Sequence, residues 1–198
     1  MNRDNPQGTP TEAEIAWLAG ILEGEGTVSL AAWVRNESNA VVQGSIAPGA
    51  MKISVNIKFY NTDAGIIAKV VDILDRLGMG HHVKEREMKP MRRAEGDGFY
   101  KPTAPMLTVT VSVLPIAYAL AKVLRPWCFG EKGRRLDLAI QYLARRLERA
   151  QAAGKCRTEY DVGDLRIVSD FYTQFARRPD NNARLLERLL NEHERSAA

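Results

Sequence analysis

Apolar residues change their spacing several times along the chain, and each change predicts an element. Thr11 with Glu14 three residues later forms a capping-box signature, and Ile15, Leu18, Ala19 and Leu22 follow at helical spacing, so a first helix is expected from about Thr11 to Glu25. Strict alternation then takes over. Val28, Leu30, Ala32 and Val34 interleave with Thr27, Ser29, Ala31, Trp33 and Arg35, the period of a half-buried strand. Beyond a loop carrying Asn36, Ser38, Asn39, Gly44, Pro48 and Gly49, a second alternating run sets Ile53, Val55, Ile57 and Phe59 against Lys52, Ser54, Asn56 and Lys58. Helical spacing returns from about Asp63 to Leu77 through Ile66, Ile67, Val70, Val71 and Leu74, and Gly78 stands where a C-terminal cap would. A weaker strand is expected from roughly His81 to Lys89. After a loop rich in Gly, Pro and charge, a fourth strand alternates Leu107, Val109, Val111 and Val113 with Thr108, Thr110 and Ser112. Pro115 suits the first turn of a third helix that stops before Pro126. A basic fourth helix is expected from roughly Glu131 to Gln151, and two more helical segments flank Pro179-Asp180-Asn181.

The predicted order, αββαββα with additional C-terminal helices, is that of an α+β protein: a four-stranded antiparallel sheet with helices on one face. It divides into a flexible arm over residues 1–10, a main domain over 11–152 and a helical extension over 153–198. The uncovered sheet face draws on Ser, Thr, Asn, Lys, Arg and one Trp. Such a face is either an ordinary solvated one or a surface able to hydrogen-bond base edges and phosphates.

Composition narrows the class. The chain has 198 residues, 45% of them hydrophobic, enough for a real core. No stretch approaches about 18 apolar residues, and Met1 to Pro10 is polar, so a soluble intracellular protein is expected, in cytoplasm, nucleoid or organelle matrix, with no membrane partner. Cys128 and Cys156 have neither the number nor the spacing of a disulfide framework or zinc site and read as reduced structural thiols. The net charge of +4 is mild, but it is unevenly spread. Between Leu114 and Arg157 lie ten basic residues (Lys122, Arg125, Lys132, Arg134, Arg135, Arg145, Arg146, Arg149, Lys155, Arg157) and three acidic ones (Glu131, Asp137, Glu148), which suits either a polyanion partner or a solvated helical face.

The predicted first helix ends in Trp17-Leu18-Ala19-Gly20-Ile21-Leu22-Glu23-Gly24-Glu25-Gly26. Gly20 and Gly24, four apart on one helical face, each weaken the helix by about 1 kcal/mol relative to alanine. Close packing of a second such helix backbone would offset that cost and bring two copies of Glu25 together. Neighbouring carboxylates repel unless they are protonated or share cations, and oxygen-only ligands suit Mg²⁺ or Ca²⁺.

This segment resembles the motif that names the LAGLIDADG homing-endonuclease family. It matches at Leu18, Ala19, Gly20 and Gly26, keeps aliphatic residues at Ile21 and Leu22 and carboxylates at Glu23 and Glu25, and closes a helix just before a strand. The resemblance covers roughly Thr11 to Ala150. It implies an intron-encoded, metal-dependent nuclease that hydrolyses double-stranded DNA and leaves short 3′ overhangs, with no small-molecule substrate. Glu25 takes the place of the catalytic metal ligand, with the Gly24 carbonyl able to join it; Mg²⁺ would support cleavage, and Ca²⁺ could fill the site without doing so. Many members carry Asp where this chain has Glu25. A single motif implies a homodimer with Gly20, Ile21, Glu23 and Gly24 at its interface, and two-fold symmetry then implies a pseudo-palindromic target. A strand of about ten residues at ~3.4 Å per residue spans about 34 Å, or about ten base pairs per half-site.

Further positions carry over from the same resemblance. Asn61 sits where the family positions the attacking water, and with Thr62 and Asp63 it equally reads as helix-cap chemistry. Lys132 matches a basic residue that reaches the cleavage centre, to polarise the water network or stabilise charge on phosphorus, and simple phosphate binding is the other reading. For groove contacts the expectation is Ser29, Trp33, Arg35, Ser54, Asn56, Lys58, Lys84, Arg86, Thr108 and Thr110, with Arg35 and Arg86 best suited to guanine. His81 and His82 take structural or DNA-contact roles. A group I intron maturase acting on RNA and a non-cleaving DNA-binding regulator stay open; the retained Glu23 and Glu25 favour the nuclease.

Overall fold

The computed structural model describes residues 8–34, 41–42, 45–46, 51–88, 91–92, 99–100, 104–154, 160–175, 184, 186–188 and 190–191. The opening helix α1 spans Glu12–Glu25, and Thr11 caps it in a full capping box: its hydroxyl accepts from Glu14 N at 3.3 Å and its own N–H donates to the Glu14 carboxylate at 2.8 Å. The same carboxylate takes the Arg76 guanidinium of helix α2, Ala64–Arg76, and this pairing pulls Glu14 down to about 2. Helix α2 starts on Asp63, whose side chain accepts from Gly65 N and Ile66 N. It ends with Gly78 at φ +66°, the Gly78 N–H bonded to Asp75 O and the Met79 N–H to Leu74 O, a Schellman closure that favours glycine at that position.

Strands β1 (Gly26–Val34), β2 (Met51–Asn61), β3 (His82–Arg86) and β4 (Met106–Val111) form one antiparallel sheet in the order β1-β2-β4-β3. Its buried side carries Val28, Leu30 and Ala32, then Ile53, Val55, Ile57 and Phe59, then Val109 and Val111, the alternation expected from sequence. Two elements are shorter than predicted. β3 keeps only residues 82–86, all exposed, as suits an edge strand with a single neighbour. β4 stops at Val111 because Val113, 55% exposed, serves as N-cap of α3 (Leu114–Leu124), which carries Pro115 in its first turn.

A short 3₁₀ turn, Arg125–Trp127, leads to the long helix α4, Gly130–Ala152, and then to α5, Val162–Phe175. Helices α1 to α5 bury residues against the same side of the sheet. Leu18 and Leu22 of α1, Ile73 of α2, Leu120 of α3, Leu136 and Leu143 of α4, and Leu165, Val168 and Phe171 of α5 join one continuous core, with Leu186 beyond α5. The expected Pro179-Asp180-Asn181 break lies outside the described residues. No described helix is long and apolar enough to cross a membrane.

Much of the basic stretch around α4 is paired within the chain. Arg125 pairs with Asp137 at 2.9 Å, Arg135 with Glu131 at 2.7 Å, and Arg145, Arg146 and Arg149 converge on Asp161 and the fully buried Asp164 of the α5 entry. Five arginines of the apparent polyanion footprint are thus held by acids of the chain itself, two of those acids lying beyond Arg157.

Candidate functional site

Helix α1 runs into β1 without a connecting loop. Gly26, extended at φ −113°, permits this: a Cβ there would lie 2.6 Å from Leu22 Cδ1 and 2.8 Å from the Leu22 Cα and carbonyl oxygen, closer than real atoms approach. Glu25 therefore sits at the junction of helix and strand, at one end of the sheet. Its carboxylate is exposed and has no hydrogen-bond or ion-pair partner among the described residues.

The other carboxylate of the motif is engaged. Glu23 is half-buried, and its Oε1 accepts the Phe129 N–H at 2.8 Å. Lys132 on the first turn of α4 donates from Nζ to the Gly26 carbonyl. Burial, with Arg135 adding repulsion, holds the Lys132 ammonium below the ordinary lysine range, while Glu131 and Glu23 pull it the other way. Gly133 lets α4 begin so close, because a Cβ there would stand 2.6 Å from the Cys128 carbonyl oxygen. Burial also pushes the Cys128 thiol up to about 11, which leaves it a packing residue; Cys156 is outside the described residues.

The last turn of α1 thus carries two acids and no basic residue at the negative pole of the helix. Lys132 compensates from the side, but Glu25 itself faces outward without a counter-charge. A cation there would be favoured by both the carboxylate and the helix end, and the adjoining Gly24 carbonyl is the same hard oxygen chemistry. Among the described residues no group of three or more His, Cys, Asp or Glu side chains comes together, so one copy of the chain offers a partial ligand set. Gly20 and Gly24 are exposed, an added Cβ at either meets nothing within 4 Å, and Ile21 beside them is half-buried. Phe129, whose N–H Glu23 holds, is 72% exposed next to them.

Asn61 ends β2, two residues past Phe59, the cross-strand partner of Gly26, which brings it to the same end of the sheet. Its Oδ1 accepts the Asp63 N–H at 2.8 Å, so it orders the turn that caps α2.

The uncovered sheet face is assembled in rungs. Thr27, Lys58, Thr110 and His82 lie in one row across all four strands, and Tyr60, Thr108 and Lys84 in the next. Ser29 opposes Asn56, Ala31 opposes Ser54, and Arg86 opposes Met106; the Asn56 amide donates to Ser54 at 3.1 Å. The Trp33 backbone pairs with Lys52, and Arg35 falls outside the described residues. Lys52, Lys58, Lys84 and Arg86 have no ion-pair partner among the described residues, unlike the arginines of α4. Thr27, Lys52 and Tyr60 belong to this face although the sequence reading did not choose them for groove contacts, and so does His82, for which it left a structural or a DNA-contact role open. Strand parity was the available signal, because each lies an even number of residues from a chosen position on the same strand.

No family model matches the sequence, and no curated protein does. Solved structures do. The homing endonuclease I-CvuI, in complex with its target in the presence of 2 mM Ca, matches with a TM-score of 0.56 at 15% identity over 92% of this chain and 95% of its own. The protein has the homing-endonuclease fold. The homing endonuclease I-TnaI matches at 0.52 and 11% identity, over 90% of this chain and 97% of its own. The group I intron-encoded homing endonuclease I-CeuI, complexed with DNA, matches at 0.52 and 13%, over 87% and 70%. The homing-endonuclease fold is therefore shared along nearly the whole chain, including segments beyond α4, despite few identical residues.

Proposed function

We propose that this chain is a LAGLIDADG-type homing endonuclease: a homodimer that cuts both strands of a long pseudo-palindromic DNA site and leaves 3′ overhangs. The observation that carries the reading is Glu25, an exposed carboxylate without a partner at the end of a helix whose neighbouring face is notched by Gly20 and Gly24. Two copies meeting through that face, with Ile21 and Glu23 at its border, bring two Glu25 side chains beside one duplex. The neighbours fit the reading: I-CvuI and I-CeuI were each solved with DNA, one I-CvuI complex holding uncleaved DNA in 2 mM Mg.

Each Glu25, with the Gly24 carbonyl, would hold a divalent cation, Mg²⁺ for cleavage and Ca²⁺ as a silent occupant. Bound there, the ion would supply Lewis-acid chemistry, activating water and offsetting charge on the leaving 3′ oxygen. Lys132 braces the helix–strand junction through Gly26 and places positive charge near the phosphate that develops negative charge. Asn61, fixed by the Asp63 N–H, keeps its amide N–H₂ for the attacking water. The sheet face supplies Ser29, Trp33, Ser54, Asn56, Lys58, Lys84, Arg86, Thr108 and Thr110, and the segment after β1 supplies Arg35, for groove and phosphate contacts.

Glu25→Gln is the direct test. The variant is expected to lose cleavage, by at least about 10³-fold given that metal-bound water chemistry is removed, while its affinity and sequence preference for DNA stay within a few-fold of the parent. Full cutting by Glu25→Gln removes Glu25 from the mechanism.

A further inference from the structure

The β1–β2 hairpin is longer than the sheet that supports it. β4 pairs only with residues 57–61 of β2, so among the described residues the outer rungs, from Asn56 to Met51, have β1 on one side and no strand on the other. Edge N–H and C=O groups on such a ribbon need other partners. The C-terminal segment provides them. Ala32 and Ile53 oppose each other in the register, and their amides point away from each other to the two flanks of the ribbon. The Tyr172 hydroxyl accepts the Ala32 N–H at 3.2 Å on one flank, and the Tyr160 hydroxyl accepts the Ile53 N–H at 3.0 Å on the other. One rung is therefore gripped from both sides by residues about 110–140 positions away in the chain.

Both tyrosines are themselves held. Arg146 stacks on the Tyr160 ring at 4.6 Å, and Asp161 and Asp164, one and four residues after it, are tied to Arg145, Arg146 and Arg149 of α4. Tyr172 lies on α5 between Phe171 and Phe175. Arg135, lodged against both phenylalanine rings, donates to the Val28 carbonyl at 3.1 Å on the same β1 edge. The adjacent rungs carry Ser54 inward and Lys52 outward on the uncovered face.

We infer that residues 160–175 form a brace that fixes the outer half of the hairpin for base readout, with the Tyr160 and Tyr172 hydroxyls as positioning groups. The inference rests on the DNA-reading function proposed above. β1 starts at Gly26, next to Glu25, and rises ~3.3 Å per residue, so the gripped rung at Ala32 lies about 20 Å along the strand from the proposed cleavage centre. Losing the grip loosens recognition at the outer base pairs of each half-site and leaves the inner ones, read from the four-strand rungs, unchanged.

The test compares the parent protein with Tyr160→Phe, Tyr172→Phe and the double variant, which keep both rings. Amide exchange on the free proteins should show faster exchange at Ala32 and Ile53. Selection from a fully randomised duplex library should then show outer-position discrimination, roughly tenfold per well-read base pair, falling below about threefold in the double variant. Inner-position preferences and cleavage of a site with the consensus centre should not change. If the double variant does not fold, the single variants carry the same comparison, each with a smaller outer loss. A parent that enriches no sequence defeats the DNA-reading function and this role with it. A parent with an outer consensus that the variants reproduce defeats the brace alone, as does unchanged exchange at both amides.

Discussion

Gly20 and Gly26 lie six residues apart in one motif, and they carry opposite constraints. Gly26 has no room for a Cβ against Leu22, whereas an added Cβ at Gly20 meets nothing within 4 Å. In an isolated copy, Gly20→Ala should therefore raise the stability of α1 by about 1 kcal/mol, the ordinary helical preference for alanine. If a second α1 packs there, the same change should instead weaken self-association. Urea unfolding of dilute protein and sedimentation equilibrium of concentrated protein read the two effects separately, and a gain in stability with unchanged association would place the dimer contact elsewhere. The helix cost of Gly20 and Gly24 was readable from spacing alone. The need for glycine at 26 was not, because it arises from how far the strand turns back over Leu22. The partner of Lys132 was likewise hidden: a basic residue 106 positions from Gly26 gives no sign in the sequence that it ends on that carbonyl.

Helix α4 lies within a residue of its expected bounds, but its charge is paired in a way the sequence count did not show. The count ran from Leu114 to Arg157 and so excluded Asp161 and Asp164, the acids that hold three of its arginines. Asp164 is fully buried and pairs with both Arg146 and Arg149, so removing it takes a buried carboxylate out of the network that holds the nearly buried Arg146. Breaking such a pair from one side costs about 3 kcal/mol or more. For a protein of this size that corresponds to a thermal midpoint about 6–12 °C lower for Asp164→Ala, measurable by calorimetry; a shift under about 2 °C would mean the network contributes little. The strands, by contrast, were legible almost residue by residue, since alternation fixes the buried side wherever one face meets a core. Only the ends moved, at β3 and β4, where pairing and the start of α3 decide the boundary rather than pattern.

At the scale of the molecule, Lys52, Lys58, Lys84 and Arg86 put positive charge without an ion-pair partner among the described residues on the uncovered sheet face. Binding of duplex DNA should weaken steeply with salt, since each phosphate contact releases counterions. Lys58→Gln with Lys84→Gln should lower the slope of log K against log salt by about two, whereas Arg145→Gln, whose guanidinium is taken by Asp161, should leave it unchanged. Equal effects from both would place the duplex on the helical side. Sequence showed that this face was polar; it did not show that five arginines of the other basic region are paired, because ion pairing is settled only when distant segments meet. The continuous core has one more consequence. Leu165, Val168, Phe171 and Leu186 sit in the same interior as the motif helix, so a recombinant product stopped after Ala152 would present a greasy cleft and a ragged ribbon edge to solvent. A shortened form that keeps this interior closed therefore has to retain α5.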